Sequence, residues 1–214
     1  MRQLRLFVSI LVLITACTNA GAQLVKFSVG VEGGGLGTYM KTEPKLYPGF
    51  EYGGFGGANV EVRIGRIAGA YVKANYSYQT GKQTLTTADG YDSGLSVKLS
   101  RQYIHIPFGV QVWMGNVAAF QLGFQQSILA GSSYTENPDG GNSLELNPDE
   151  GALKYYVSLA AGFKFNLGRI VYLNVEGTYG LSPAYVVMNN GTPVITASVG
   201  VGFRVYTYRK SAFK

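Results

Sequence analysis

Eight segments of this chain alternate residue by residue between apolar and polar side chains, and in all eight the apolar phase carries no charge. Period-two alternation marks a strand whose two faces meet different surroundings. In the first segment Val25, Phe27, Val29 and Val31 alternate with Lys26, Ser28, Gly30 and Glu32. In the second and third, Ala58 to Ile64 and Ala70 to Tyr78 keep one apolar phase while Asn59, Glu61, Arg63, Tyr71, Lys73, Asn75 and Ser77 fill the other. The fourth sets Ile104, Ile106, Phe108, Val110 and Val112 against Tyr103, His105, Pro107, Gly109 and Gln111. The fifth sets Ala118, Phe120, Leu122 and Phe124 against Ala119, Gln121, Gly123 and Gln125. In the sixth, Tyr155 to Phe165 faces Ser158, Ala160, Gly162 and Lys164. In the seventh, Val171, Leu173, Val175 and Tyr179 face Tyr172, Asn174, Glu176 and Thr178. In the last, Ile195 to Val205 faces Thr196, Ser198, Gly200, Gly202 and Arg204. Leu95, Val97 and Leu99 sit in the phase opposite to Ile104 onward, so a bulge or loop extension is expected between them.

Alternation alone leaves open which face is outside. A soluble barrel buries the apolar face, and a membrane barrel turns it to lipid. Three features favour lipid. A soluble exterior is about 25–35% charged, whereas this chain is 14% charged overall and its polar phase is mostly small and neutral. The links alternate in length: Gly65-Arg66, Met114-Gly115-Asn116 and Asn166-Leu167-Gly168 are short, while 34–54, 80–94, 131–151 and 182–193 are long. Short periplasmic turns and long outer loops are the rule for outer-membrane barrels. The aromatics of the apolar phase also sort by height. Phe27, Phe120, Phe163, Phe165 and Phe203 lie toward the short turns, and Tyr76, Tyr78, Tyr155 and Tyr179 toward the long loops. Aromatic girdles at both interfaces are the membrane pattern. The expected fold is all-β: an eight-stranded, antiparallel, up-and-down transmembrane β-barrel. Glycine, at 30 of 214 residues, is about twice its usual share of ~7%. A crowded lumen accounts for the glycines on the polar phase.

The first 22 residues read as a cleaved signal peptide. Arg2 and Arg5 precede the apolar run Leu6 to Ala16, and Ala20-Gly21-Ala22 supplies a small-x-small cleavage site. Residues 23–214 are then the barrel domain, with both termini periplasmic. Ile14-Thr15-Ala16-Cys17 resembles a lipobox, in which Cys17 would carry lipid. The Ala-x-Ala site fits better, because a strand starting near Leu24 leaves almost no tether.

The charges on the inner phase are Lys26, Glu32, Glu61, Arg63, Lys73, Lys164, Glu176 and Arg204, with Arg101 expected to join them. Charges out of water persist when paired and hydrogen-bonded. With His105 they are expected to form a structural polar network; a selectivity lining is the alternative. His105 is the sole histidine and is expected to face the lumen beside Tyr103. A catalytic histidine needs a nucleophile and an orienting acid, and a lipid-modifying site must open toward lipid. No Gly-x-Ser-x-Gly elbow is present, so neither catalytic nor metal residues are assigned. One His and one Cys cannot supply a Cys/His zinc site. No cofactor is implied. Gly30 to Gly37 lacks the following helix of a dinucleotide site, and Thr80-Gly81-Lys82 lacks Walker spacing. No basic stripe points to nucleic acid.

Two long links invite partners. Glu136, Asp139, Glu145, Asp149 and Glu150 make the 131–151 link acidic, read as a solvated loop without an EF-hand pattern. Tyr39, Tyr47, Phe50, Tyr52 and Phe55 lie among glycines in the first long link, a composition suited to adaptable contact.

The chain resembles the small outer-membrane β-barrel proteins of Bacteroidota, the PorT-like barrels of the outer membrane protein beta-barrel domain family. The resemblance rests on Ala20-Gly21-Ala22-Gln23, Gln102-Tyr103-Ile104-His105-Ile106-Pro107, Glu176-Gly177-Thr178-Tyr179-Gly180-Leu181 and Val199-Gly200-Val201-Gly202-Phe203-Arg204. It implies the outer membrane as location, outer-membrane lipid and the barrel-assembly machinery as partners, and a final aromatic near Tyr206–Tyr208 used in assembly. The expected role is a non-enzymatic structural or surface-contact protein whose loops meet an extracellular ligand or secretion partner. The alternatives are an accessory component of protein secretion, a lipid-modifying enzyme, and a soluble periplasmic barrel holding a small apolar ligand.

Overall fold

The computed structural model describes residues 25–40, 50–86, 92–136, 145–146, 155–181 and 194–210. The segment 1–22, with Cys17, lies outside them, as do Tyr47 and the acidic positions 139, 149 and 150. The strands are β1 (Val25–Met40), β2 (Phe50–Ile64), β3 (Ala68–Thr86), β4 (Asp92–Met114), β5 (Ala118–Glu136), the two-residue β6 (Glu145–Leu146), β7 (Tyr155–Asn166), β8 (Val171–Gly180) and β9 (Val194–Lys210). All pairings are antiparallel. The eight long strands pair with their chain neighbours, and β1 pairs with β9, so the sheet closes into a ring; β6 only borders β5. The eight-stranded, antiparallel, up-and-down barrel is thus the observed fold.

The two phases fall where lipid would put them. On β3, Tyr71, Lys73, Asn75 and Ser77 are buried while Val72, Ala74, Tyr76 and Tyr78 are exposed. The other strands follow the same rule, so the apolar phase is the outer surface and the interior is polar. This overturns the soluble barrel with an apolar ligand inside, because the surface that would bind such a ligand faces outward. A closed sheet also suits that exterior, since backbone groups facing hydrocarbon have no other partners.

At one end the strands join through the short links 65–67, 115–117 and 167–170. Gly65 and Gly115 open the first two at φ 65° and 69°, a left-handed conformation that costs other residues steric strain. Backbone bonds knit the links into a rim: Trp113 N–H to Ile67 O and Asn166 N–H to Val117 O, both 2.6 Å, and Arg204 N–H to Ile170 O at 2.8 Å. Val25 pairs with Ile64 and Lys210, so both described chain ends lie at this turn-side end.

At the other end the strands run further than their alternation indicates. Residues 34–40, 50–54, 80–86, 92–94 and 131–136, read from sequence as loop, continue the strands. Past the lipid both faces of a strand meet water, so the apolar phase has nothing to exclude. The segments Thr80–Thr86 and Gly131–Glu136 are accordingly rich in Thr, Ser, Gln and Gly. Two irregularities shift phase. The bulge expected within the fourth strand instead lies on β5: Gln102 pairs with Gly131 and Tyr103 with Leu129, leaving Ala130 extra. From Ser96 to Val112 β4 keeps one register with β3, so Leu99 points inward with Arg101 and Tyr103; a further shift lies only near the tip, between Thr84 and Thr86 of β3. On β9, Val29 pairs with Tyr206 and Gly30 with Arg204, so Val205 is extra and Tyr206 and Tyr208 turn outward.

Glycine makes room where large side chains cross the lumen. A Cβ on Gly202 would stand 2.1 Å from Tyr172 Cζ, and one on Gly200 2.7 Å from Phe55 Cζ. Each ring occupies the space that a side chain on β9 would fill. Gly202→Val should therefore cost about 1–3 kcal/mol through overpacking, read as a lowered urea midpoint of the barrel refolded in lipid vesicles. Val199, on the outer face of β9 midway along the strand, should respond differently. Val199→Arg is expected to cost about 2–4 kcal/mol in vesicles, and full tolerance there would contradict a lipid-facing surface.

Candidate functional site

Among the described residues the lumen is the enclosed chemical environment, and the alternation of each strand decides what enters it. Midway along the barrel, Lys73 from β3 places Nζ 2.7 Å from Glu176 on β8 and 3.6 Å from Glu32 on β1. Asn75 Nδ2 donates to Glu32 at 3.2 Å, and the Tyr172 hydroxyl donates to the other Glu32 oxygen at 3.3 Å. Asn59 Nδ2 donates to the Tyr172 hydroxyl. Lys164 on β7 pairs with Glu61 on β2, and its ammonium also stands 3.4 Å from the centre of the Tyr172 ring. These charges sit on opposite walls, so their pairs span the lumen and fill it.

Above this layer lies a neutral nest around His105. Its Nε2 is 2.8 Å from Ser77 Oγ and its Nδ1 2.8 Å from Ser127 Oγ, with Gln125 Nε2 3.2 Å from Nδ1. The imidazole stacks on Tyr103, centroids 5.6 Å apart. A serine thus touches each ring nitrogen. Where an orienting carboxylate would stand, the neighbour is the Gln125 amide, and the group is buried from lipid and water. Nearer the loop side, Arg101 Nη2 lies 3.3 Å from Glu51 Oε1, both buried, and Tyr103, Tyr156 and Val194 pack together with Leu129.

The turn-side mouth is basic. Arg63 lies over Trp113, 4.6 Å to the ring centre, and donates to the carbonyls of Arg66 and Gly115. Arg204 donates to Asn166 Oδ1 and to the Arg169 carbonyl. Lys26 stands directly across from Arg63 in the β1–β2 register.

The sequence reading grouped Lys26, Glu61, Arg63, Lys73, His105, Lys164, Glu176 and Arg204 in one network. The structure divides them. Glu61, Lys73, Lys164 and Glu176 meet with Glu32 at mid-height, His105 sits among hydroxyls and amides, and Lys26, Arg63 and Arg204 line the mouth. Tyr172, which ties Glu32 to Lys164, and Glu51, which pairs Arg101, were not singled out. Both could have been found: Tyr172 occupies the inner phase opposite Gly202, and Glu51 continues the inner phase of Glu61 and Asn59. Of the first-loop aromatics, Tyr39, Phe50 and Tyr52 are exposed on the strand wall, while Phe55 faces inward over Gly200.

Outside, Phe27, Phe120, Phe163, Phe165 and Phe203 occupy outer-phase positions toward the turns, and Tyr76, Tyr78, Tyr155 and Tyr179 toward the loops. The Phe120 and Phe163 ring centroids are 5.3 Å apart, and those of Phe163 and Phe165 are 6.2 Å apart. Among the described residues no group of three or more His, Cys, Asp or Glu is arranged to hold a metal ion.

Removing one member of a buried ion pair leaves an uncompensated charge, whereas removing both does not. Lys164→Met should therefore lower stability by about 3–5 kcal/mol, and the double variant Glu61→Leu/Lys164→Met should regain most of that loss. Urea unfolding of the four proteins of this cycle measures it. Equal losses in the single and the double variants would show that the pair is not the source.

No curated protein matches the sequence. Among solved structures, Neisserial surface protein A is similar at 12% identity, with 83% of this chain and 98% of that chain covered and a TM-score of 0.52. The attachment invasion locus protein of Yersinia pestis, solved with the heparin analogue sucrose octasulfate, aligns at 12% identity over 84% of this chain and 98% of its own, with a TM-score of 0.49. Residues 21–186 match the model of the outer membrane protein beta-barrel domain. The chain belongs to that family, and its place is the outer membrane.

Proposed function

We propose that this protein is a non-enzymatic outer-membrane barrel that makes contacts at the cell surface through its loop-side rim, with the short turns and both termini in the periplasm. The observation that carries this reading is the unequal height of the wall. β7 and β8 have 12 and 10 residues, close to the ~9–11 that a tilted membrane strand needs. β3 and β5 have 19 each and β4 has 23. All start from the same turn-side rim, so the surplus stands on the loop side. At ~3.3 Å per residue it amounts to roughly 25–40 Å of strand. The register continues through Lys82 opposite Lys98 to Thr84 opposite Ser96, shifts there and resumes at Thr86 opposite Asp92, and β4 still pairs β5 at Val97 and Glu136. A paired ribbon that long is a rigid platform, and rigid elements hold contact residues better than loops do.

The filled lumen supports the same reading, because the charged pairs at mid-height leave the rims as the surfaces available for work. The strand motifs further support placing the chain with the PorT-like barrels of Bacteroidota, with the barrel-assembly machinery as its insertion partner.

A strain carrying the chain with residues 83–96 replaced by a short turn is expected to assemble the barrel but lose adhesion as fully as a deletion strain does. Adhesion unchanged in both strains would contradict a surface-contact role. In planar bilayers the purified protein should show no steady open conductance. An epitope inserted in 137–144 should be labelled on intact cells, and one placed at Arg66 only after permeabilisation.

A further inference from the structure

We propose that the outward face of β1 and β2 above the tyrosine girdle binds the uncharged sugar head of a glycolipid in the surrounding leaflet. The site is made by Tyr39, Phe50 and Tyr52, which are 50%, 59% and 62% exposed. Tyr39 pairs with Phe50, and Tyr52 pairs with Gly37 one step lower on the same face.

Height sets these rings apart from the girdle. Tyr76 and Tyr78 stand eight and ten residues from Ala68 at the turn side, and Tyr179 stands eight from Val171. Tyr52 and Phe50 stand twelve and fourteen residues from Ile64, and Tyr39 fourteen from Val25. The three therefore lie about 7–20 Å further along the strands, at ~3.3 Å per residue. The membrane boundary accounts for a ring at the girdle. A contiguous aromatic patch above that boundary marks a binding surface.

The chemistry of the patch selects the ligand. A Cβ on Gly37 would stand 3.1 Å from Phe50 Cζ, so the Phe50 ring lies over bare backbone while its other side is open. An aromatic face carries negative potential, which suits the C–H face of a pyranose ring. Tyr39 and Tyr52 bring hydroxyls that both donate and accept, as sugar hydroxyls require. Thr80, opposite Tyr52, adds another. The neighbours of the two tyrosines across the β9 and β3 ladders, Ile195 and Thr80, are uncharged, which fits an uncharged head.

The wall below ties the sugar to a lipid. Gly33, Gly35, Gly54 and Gly56 leave a clearing between Val199 on β9 and Tyr78 on β3. Among the described residues, a Cβ on any of the four would meet only backbone atoms within 4 Å. The clearing faces lipid and runs up to Tyr52, and the patch faces sideways along the membrane. One molecule with an acyl chain in the clearing and a sugar at its upper end fits both. The choice of leaflet rests on the reading that the loop side is the cell surface.

The test is photo-crosslinking of the full barrel, refolded in phosphatidylcholine vesicles that contain a diacylglycerol with a diazirine-tagged maltose head. The label should concentrate on the peptides that carry Tyr39, Phe50 and Tyr52, while a diacylglycerol with a tagged phosphocholine head should label the wall evenly. Tyr39→Ser/Phe50→Ser/Tyr52→Ser changes only exposed side chains and should lower the maltose labelling severalfold. Gly35→Leu fills the clearing, leaves the rings in place and should lower it too. Even labelling by the maltose lipid, or labelling that the triple variant leaves unchanged, overturns the site. Displacement by free maltose as effective as by untagged glycolipid, with no effect of Gly35→Leu, overturns the lipid as its source. Both vesicle leaflets hold the probe, so the outcome does not depend on which end of the barrel faces outward, and failure here leaves the adhesion result standing.

Discussion

A strand in hydrocarbon can send its backbone N–H and C=O groups only to another strand. That requirement brings β1 to β9 and β4 to β5, closing the ring. A ring of eight has an interior just wide enough for side chains, and every other feature of the wall follows from this narrowness. Tyr172 can lie across the lumen only because Gly202 offers no Cβ beneath it, and Phe55 only because of Gly200. Charges from opposite strands must then come within contact, and the sequence has matched their signs at mid-height. Lys73 reaches Glu32 and Glu176, and Lys164 reaches Glu61.

Such pairs give weak net stabilisation, because desolvation opposes their attraction. Their value lies in what they forbid. A strand slipped by one residue would turn Lys73 and Glu176 to lipid and Val72 and Val175 to the lumen, with no partner for either charge. The ion pairs therefore act with the outer apolar phase to fix register. At the turn-side mouth, carbonyls, the Asn166 amide and the Trp113 ring help to orient Arg63 and Arg204.

What could be read from sequence follows the same boundary. Inside the membrane the two faces of a strand have opposite needs, so alternation reports them faithfully. The inward positions of Lys73, His105, Lys164 and Glu176 and the outward Phe and Tyr positions were legible for that reason. Beyond the membrane the faces have the same need, and the signal stops while the hydrogen-bonded ladder continues. Thr80–Thr86 and Gly131–Glu136 therefore read as loop. Bulges are likewise invisible to a fixed period: the extra Val205 turns Tyr206 and Tyr208 outward, and the extra Ala130 lets β5 re-enter register with β4. Partners across the lumen were the least legible. Alternation gives the facing of a residue but not its height, and height decides that Glu61 meets Lys164 while Arg63 meets Trp113.

Height also separates the two ends of the molecule in kind. The turn-side rim is short, cross-bonded and level, with β2–β3, β4–β5 and β7–β8 joined by links that bond to one another's strands. The loop-side rim is uneven, low at β7 and β8 and tall at β3, β4 and β5. A strand that merely crosses a bilayer gains nothing from ten further residues, and ordering each of them costs conformational entropy of about 1–2 kcal/mol. Paired ribbon above the membrane recovers that cost only through its own ladder and side-chain contacts, without help from lipid. Its extent at β3, β4 and β5, against β7 and β8 on the other side, makes the wall one-sided: the ladder there must hold itself together by strand pairing and side-chain contacts alone.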